Sequence, residues 1–286
     1  MAHNFFCSLT LILVICPRLG AQQPDALPAE RCTPPPDTEL IQSQNEVRFL
    51  IVGELHGTWE IPAAFGELVC FVAAAGNHVL VGLEFPESSR RSFQQYLESS
   101  GSQADRARFL RDSGWLVNAR LNPDGRTSEA MLKMVDRLRE LRTAGLDIDV
   151  TTFVRPSPAS PETQTPYEIG MAASLREAEQ SSAYDLVIAL IGNLHARNTT
   201  FDMRGRESFD PMAMHLPAES TLTLLAITAG GKAWNCQREC GPHRHNGSPG
   251  GSTPRIEFGP DLSPGYDGVL AIGPTTASIP VLSESQ

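Results

Sequence analysis

Three short apolar runs constrain this chain more than any other feature. They are VRFLIVGEL from Val47, HVLVGLEF from His78 and LVIALIG from Leu186. A continuous apolar run of this length, closed by Gly or Glu, reads as a strand buried on both faces. Segments with helical spacing lie between them: Ile61–Ala75, Glu87–Glu98, Gln103–Arg111 and Thr127–Ala144. In the last of these, Leu132, Val135, Leu138 and Leu141 form one apolar stripe, and Gly145 ends the helix. Leu146–Val154 reads as another strand, Pro156–Pro166 as a loop with four prolines, and Tyr167–Ser181 as a further helix. Thr221–Thr228 and Asp267–Gly273 read as the last two strands. This alternation predicts an α/β fold, a mostly parallel sheet sandwiched by helices. No helix separates the last two strands, so antiparallel C-terminal strands or an edge addition are expected there. Cys236–Pro264, rich in Gly, Pro, His and Ser, reads as loop. No linker divides the pattern, so residues 47–286 are expected to form a single α/β domain.

Hydrophobic residues make up 41% of the 286 and charged residues 20%, a globular composition. The net charge of −10, without any basic run, argues against a nucleic-acid partner. Phe5–Cys16 is an apolar stretch of twelve residues, FFCSLTLILVIC. It is short for a bilayer span and fits the core of a signal peptide over residues 1–21, with cleavage after Ala21. Residues 22–46 then form a flexible lead-in rich in Pro, Gln and Asp. A lipid anchor at Cys16 is the less favoured reading, because Val14 and Ile15 before it are bulky. No later segment reads as a transmembrane span. The expected location is outside the cytosol, periplasmic or extracellular. Cys32, Cys70, Cys236 and Cys240 remain after the leader, an even number that suits an oxidising compartment. Cys236 and Cys240 are close enough to pair across a short loop. Cys32 then pairs with Cys70, or Cys70 stays buried and free.

In a parallel sheet, ligands bind beyond the carboxyl ends of the strands. The first strand is followed there by Gly53-Glu54-Leu55-His56-Gly57-Thr58, the second by Glu84-Phe85-Pro86-Glu87, and LVIALIG by Gly192-Asn193-Leu194-His195-Ala196-Arg197. Taken singly, each Glu reads as a cap or ion-pair partner and each His as a hydrogen-bonded structural residue. Two Gly-x-x-His motifs and an intervening Glu at three strand ends point instead to a site built from Glu54, His56, Glu84 and His195. Buried carboxylates beside imidazoles suit acid–base work. His56, His195 and Glu84 could equally ligate a divalent metal. Arg90, Arg91 and Arg197 stand nearby in sequence as candidates for holding an oxyanion or a substrate carboxylate, or as surface ion pairs. Cys236, Cys240, His243 and His245 do not have a familiar zinc spacing, and export favours a disulfide for the two Cys. Tyr96, Tyr167, Tyr184 and Tyr266 are the only phenols available to a haem iron. Asp267 turns toward the site or caps a turn. Neither a Gly-x-Ser-x-Gly elbow nor a nucleotide-binding Gly-rich loop is present.

GELHGTWEIP, GLEFP and LIGNLHA together resemble the superfamily that joins erythromycin esterases, ChaN-like haem-binding lipoproteins and Tiki metalloproteases. The resemblance spans roughly Val47 to His195, with a looser match at YDGVLAIGP, and is nearest to the ChaN-like proteins. Carried over by position, it falls on Glu54 and His56, on Glu84 and on His195. The esterase branch implies a His acting as base on water. The Tiki branch implies a divalent metal (Mn, Co or Zn) that activates water for peptide hydrolysis. The ChaN branch implies haem or iron binding without catalysis. The chain is shorter than a typical esterase of the group and has no clear ChaN-type lipobox. The expected function is an exported hydrolase that cleaves an ester or amide bond in a small-molecule or peptide substrate. In this expectation His56 takes a proton from water, free or metal-bound, while Glu54 or Glu84 orients it. His195 then ligates the metal or donates to the leaving group. The alternative is a ChaN-like cofactor-binding protein.

Overall fold

The computed structural model describes residues 1, 31–44, 46–156, 164–202, 207–259 and 261–283. The expected leader after Met1, including Cys16, residues 22–30 and 45 of the lead-in and part of the four-proline loop lie outside these residues. The strands are β1 (Phe49–Glu54), β2 (Val79–Pro86), β3 (Ile148–Val154), β4 (Leu186–Gly192), β5 (Thr221–Ile227), β6 (Gly230–Cys236), β7 (Cys240–Asn246), β8 (Arg255–Phe258) and β9 (Gly268–Ala271). The helices are α1 (Glu39–Gln42), α2 (Glu60–Ala74), α3 (Arg90–Leu97), α4 (Gln103–Asp112), α5 (Trp115–Leu121), α6 (Glu129–Thr143) and α7 (Gln164–Glu179).

Seven strands form one sheet in the order β3-β2-β4-β1-β5-β9-β8. All neighbours are parallel except β8, which joins β9 antiparallel at the edge. The apolar runs are strands because alternate residues feed two separate cores. Leu50 and Val52 of β1 face α2, α3 and α6, which contribute Phe65, Leu68, Phe93, Leu132 and Leu138. Phe49 and Ile51 face the other side, where α7 contributes Met171 and Leu175. The α6 stripe is buried as its spacing predicts, and Ser128 caps the helix by accepting the Met131 N–H. Gly145, at φ 97°, follows its end.

Three regions differ from the sequence reading. Residues 32–44, assigned to a flexible lead-in, carry α1 with Ile41 buried, and Cys32 is bonded to Cys70 of α2. Cys70 is therefore a disulfide cysteine and not a free thiol. The stretch Cys236–Pro264, read as loop, carries β7, which pairs antiparallel with β6 in a hairpin closed by Cys236–Cys240 at its tip, and the edge strand β8. β7 reads CGPHRHN, with a Pro and no apolar alternation, so no burial signal marked it. Helix α5 was also unpredicted; Trp115, fully buried, anchors it in an aromatic cluster with Phe85, Phe93 and Phe109. Among the described residues, no helix is long and apolar enough to cross a membrane.

Candidate active site

The strand order explains the site. β2, β4 and β1 are adjacent, so their carboxyl ends are neighbours although they lie far apart in sequence. Glu54 is in register with Gly192, and Leu83, just before Glu84, with Leu190. The glycines then let the pieces close. A side chain at Gly53 would put its Cβ 2.9 Å from the Ala196 Cβ, so the first motif is small where the second one crosses it. A Cβ at Gly192 would lie 3.1 Å from His56 Nε2, 3.4 Å from Glu84 Oε2 and 3.5 Å from His195 Cδ2. Glu84 and both imidazoles therefore converge over Gly192. All four residues expected at the centre, Glu54, His56, Glu84 and His195, are brought together.

Each imidazole is held through Nδ1 by its own carboxylate. His56 Nδ1 is 3.0 Å from Glu54 Oε1, and Glu54 is buried. His195 Nδ1 is 2.7 Å and 2.9 Å from the two oxygens of Glu168, which is wholly buried on α7. Glu168 is itself fixed by the Met212 N–H at 2.8 Å and by the Gln164 carboxamide at 2.5 Å. A carboxylate on Nδ1 sets the tautomer and leaves Nε2 for chemistry. Glu84 accepts the Gly192 N–H at 2.6 Å and Arg126 Nη1 at 2.9 Å. Its Oε2 is 3.5 Å from His56 Nε2, longer than an ordinary hydrogen bond. Arg126 also binds Asp124 through Nε and Nη2, at 2.9 Å and 2.6 Å.

Burial opposes charge on His56, but Glu54 and Glu84 outweigh it and hold the imidazole up at about 9. Burial likewise works against charge on His195, and Glu168 and Glu84 overcome it, so this ring too is raised. Burial raises the Glu84 carboxyl, yet the two imidazoles, Arg126 and the Gly192 N–H bring it below the usual carboxylate range. Tyr167, whose ring centre is 5.9 Å from that of His195, is pushed up to about 12 by burial and by Glu84, so it remains a phenol donor. Beside this cluster is a cavity of about 210 Å³ lined by Glu84, Asn118, Asp124, Arg126, Thr127 and Tyr167, among others.

Three contributors escaped the sequence reading. Glu168 lies in PYEIGM, an ordinary helix start. Arg126 and Asp124 lie in the turn NPDGR, where the composition marks a turn but not its approach to Glu84. Arg90 lies elsewhere: its Nη2 donates to Glu87, to the Thr152 carbonyl and to Ser174. Arg197 donates to Thr199 and lies over the rings of Phe201 and Tyr266. The guanidinium beside the carboxylates is that of Arg126. His243 meets the Glu239 carbonyl and His245 meets Thr275, while the nearby cysteines are oxidised to a disulfide.

Each imidazole keeps Nε2 free behind a carboxylate on Nδ1, as a metal-ligating imidazole also would, but Glu84 already accepts from a guanidinium and a backbone N–H. Among the described residues, no group of three or more His, Cys, Asp or Glu is arranged to hold a metal ion. The cavity beside the cluster is smaller than the roughly 300–1,000 Å³ usual for small-molecule and cofactor sites, which argues against haem there.

No family model matches the chain, and no curated protein matches it. Solved structures do share its fold. A Bacillus cereus protein is 11% identical, with a TM-score of 0.60 over 84% of this chain and 91% of its own. The type III effector HopBA1 is 16% identical, with a TM-score of 0.51 over 85% of this chain and 96% of its own. An erythromycin esterase mutant, EreC, in its open conformation is 12% identical over 83% of this chain and 77% of its own, at a TM-score of 0.43. At the first two TM-scores and these identities, what is shown is a common α/β architecture.

Proposed function

We propose that this protein is a hydrolase that cleaves an ester or amide bond by acid–base catalysis between two imidazoles. One observation carries the reading: His56 and His195, each oriented at Nδ1 by a buried carboxylate, converge over Gly192. In this reading the expected roles are exchanged, because both imidazoles are raised but His56 the more strongly. His56 has carboxylates on both sides and is the imidazolium at neutral pH. It therefore serves as the acid. His195 in its neutral form accepts a proton from water at Nε2, and the hydroxide adds to the substrate carbonyl. The oxyanion forms next to positive His56 and Arg126. The C–O or C–N bond then breaks, and His56 Nε2–H supplies the proton to the leaving group. His56 recovers its proton from His195, directly or through water, which returns both rings to their starting state.

Work outside the cytosol belongs to the same proposal. It is supported by two disulfides, Cys32–Cys70 and Cys236–Cys240, and by the signal-like stretch Phe5–Cys16. The test is turnover of a panel of carboxylic esters and peptides by the purified protein after exhaustive chelation. Activity that survives chelation and falls about 10²–10⁴-fold in His195→Asn, with the fold intact by circular dichroism, is expected. Turnover unchanged in both His195→Asn and His56→Asn overturns the proposal.

A further inference from the structure

The catalytic cluster depends on two loops that share no strand or helix. His56 precedes Gly57 in the loop between β1 and α2, and Arg126 ends the turn between α5 and α6. The C-terminal segment bonds both, through the Ser278 N–H to the Gly57 carbonyl and the Val281 N–H to the Thr127 carbonyl, and the β6–β7 hairpin meets both through one residue. The Trp234 backbone N–H donates to the Gly57 carbonyl at 2.8 Å. The Trp234 indole Nε1–H donates to the Pro123 carbonyl at 3.0 Å. Cys236, two residues on, places its sulfur 3.4 Å from the same carbonyl.

The three backbones are in close contact. Gly57 has φ 76°, and a Cβ on it would lie 2.1 Å from the Trp234 carbonyl oxygen. Gly125 has φ 97°, and a Cβ there would lie 2.6 Å from the Gly57 Cα and 2.9 Å from the Trp234 oxygen. Both positions combine a left-handed backbone with no room for a side chain, so glycine alone suits them. The Gly57 carbonyl also accepts the Ser278 N–H at 2.9 Å, and the hairpin base is tied at Thr275. The hairpin is thereby anchored to the C-terminal segment and reaches over both loops.

Resting on the hydrolase reading for its catalytic consequence, we infer that Trp234 is a positioning residue. It holds the His56 loop against the Arg126 turn, and so keeps both side chains beside Glu84. The indole N–H is the specific link, because a Phe ring would occupy the same place without donating to Pro123. A displacement on the order of 1 Å between groups that act on one reacting centre costs about a hundredfold in rate.

The experiment compares the full protein with Trp234→Phe and Gly125→Ala by hydrogen exchange and by steady-state kinetics. Expected for Trp234→Phe is at least tenfold faster exchange of amides in 55–59 and 122–127, with β1–β4 unchanged. With it, kcat falls about tenfold to a hundredfold while KM stays within about twofold. Gly125→Ala, whose Cβ would meet Gly57 and the Trp234 carbonyl oxygen, should loosen the same two segments while keeping the indole N–H. Unchanged exchange in the two loops of Trp234→Phe overturns the inference, whatever Gly125→Ala does. So does loosening of the loops with kcat retained. If the wild type hydrolyses nothing, the hydrolase reading fails by itself, and exchange alone decides whether Trp234 holds the loops.

Discussion

The two Gly-x-x-His motifs are the same four-residue device used twice, on adjacent strands, with different outcomes. His56 takes its carboxylate from its own motif, two residues away, and meets a second one from β2. His195 takes its carboxylate from α7, whose Glu168 has no exposure at all. The first imidazole thus lies in a local acidic clamp, and the second depends on a helix docked from elsewhere. One sequence motif can therefore yield two chemically unequal imidazoles, because the inequality comes from neighbours that the motif does not contain.

The largest test of this contrast removes the distant partner. Glu168→Ala leaves the His195 Nδ1 and the Met212 N–H buried without their acceptor. Loss of about 10²-fold or more in kcat/KM is expected, with about 2–4 kcal/mol of stability, measured by ester turnover and urea unfolding. Wild-type behaviour would show that Glu168 does not orient His195. Glu54→Gln probes the other motif. It removes the nearest negative charge from His56, so the ring should titrate below about 9, as followed by the imidazole proton signals in NMR.

The acidic clamp also has a pH signature. The folded state raises the His56 pKa above its ordinary value of about 6.5. Its stabilising contribution is therefore complete below pH about 6.5 and is lost as pH rises through about 9. Unfolding free energies at the two ends of that window should differ through this group by up to about 3 kcal/mol, and the difference should shrink in His56→Asn. Equal pH dependence in the two proteins would contradict the clamp. The smallest expected effect is at Arg90 and Arg197. Arg197→Ala, which removes a cation held over two rings outside the cluster, should leave kcat within about threefold. A larger drop would bring that guanidinium into the reaction.

What was legible in the sequence follows the same division. Strands β1, β2 and β4 were visible because both faces are buried, which makes their runs apolar throughout. The candidate residues Glu54, His56, Glu84 and His195 were visible because they follow those runs directly. Glu168 and Arg126 were not, since each reaches the site by a long-range approach with no local spacing to announce it. The β6–β7 hairpin was hidden for a different reason. Its second strand buries little, and the hairpin is held by a disulfide and by backbone bonds to loops rather than by an apolar face.

The position of β1 has a consequence for how the chain is made. Its strand neighbours are β4 and β5. During synthesis from the N-terminus, the strand that carries Glu54 therefore has no strand to pair with until Leu186–Gly192 has been made. Its second edge stays open until Thr221–Ile227 follows. Helices α2 to α7 are complete before the centre of the sheet can close around them. A nascent chain stalled before Leu186 would hold the first half of the catalytic cluster on an unpaired strand, with the apolar surface meant for the sheet's middle still exposed to solvent.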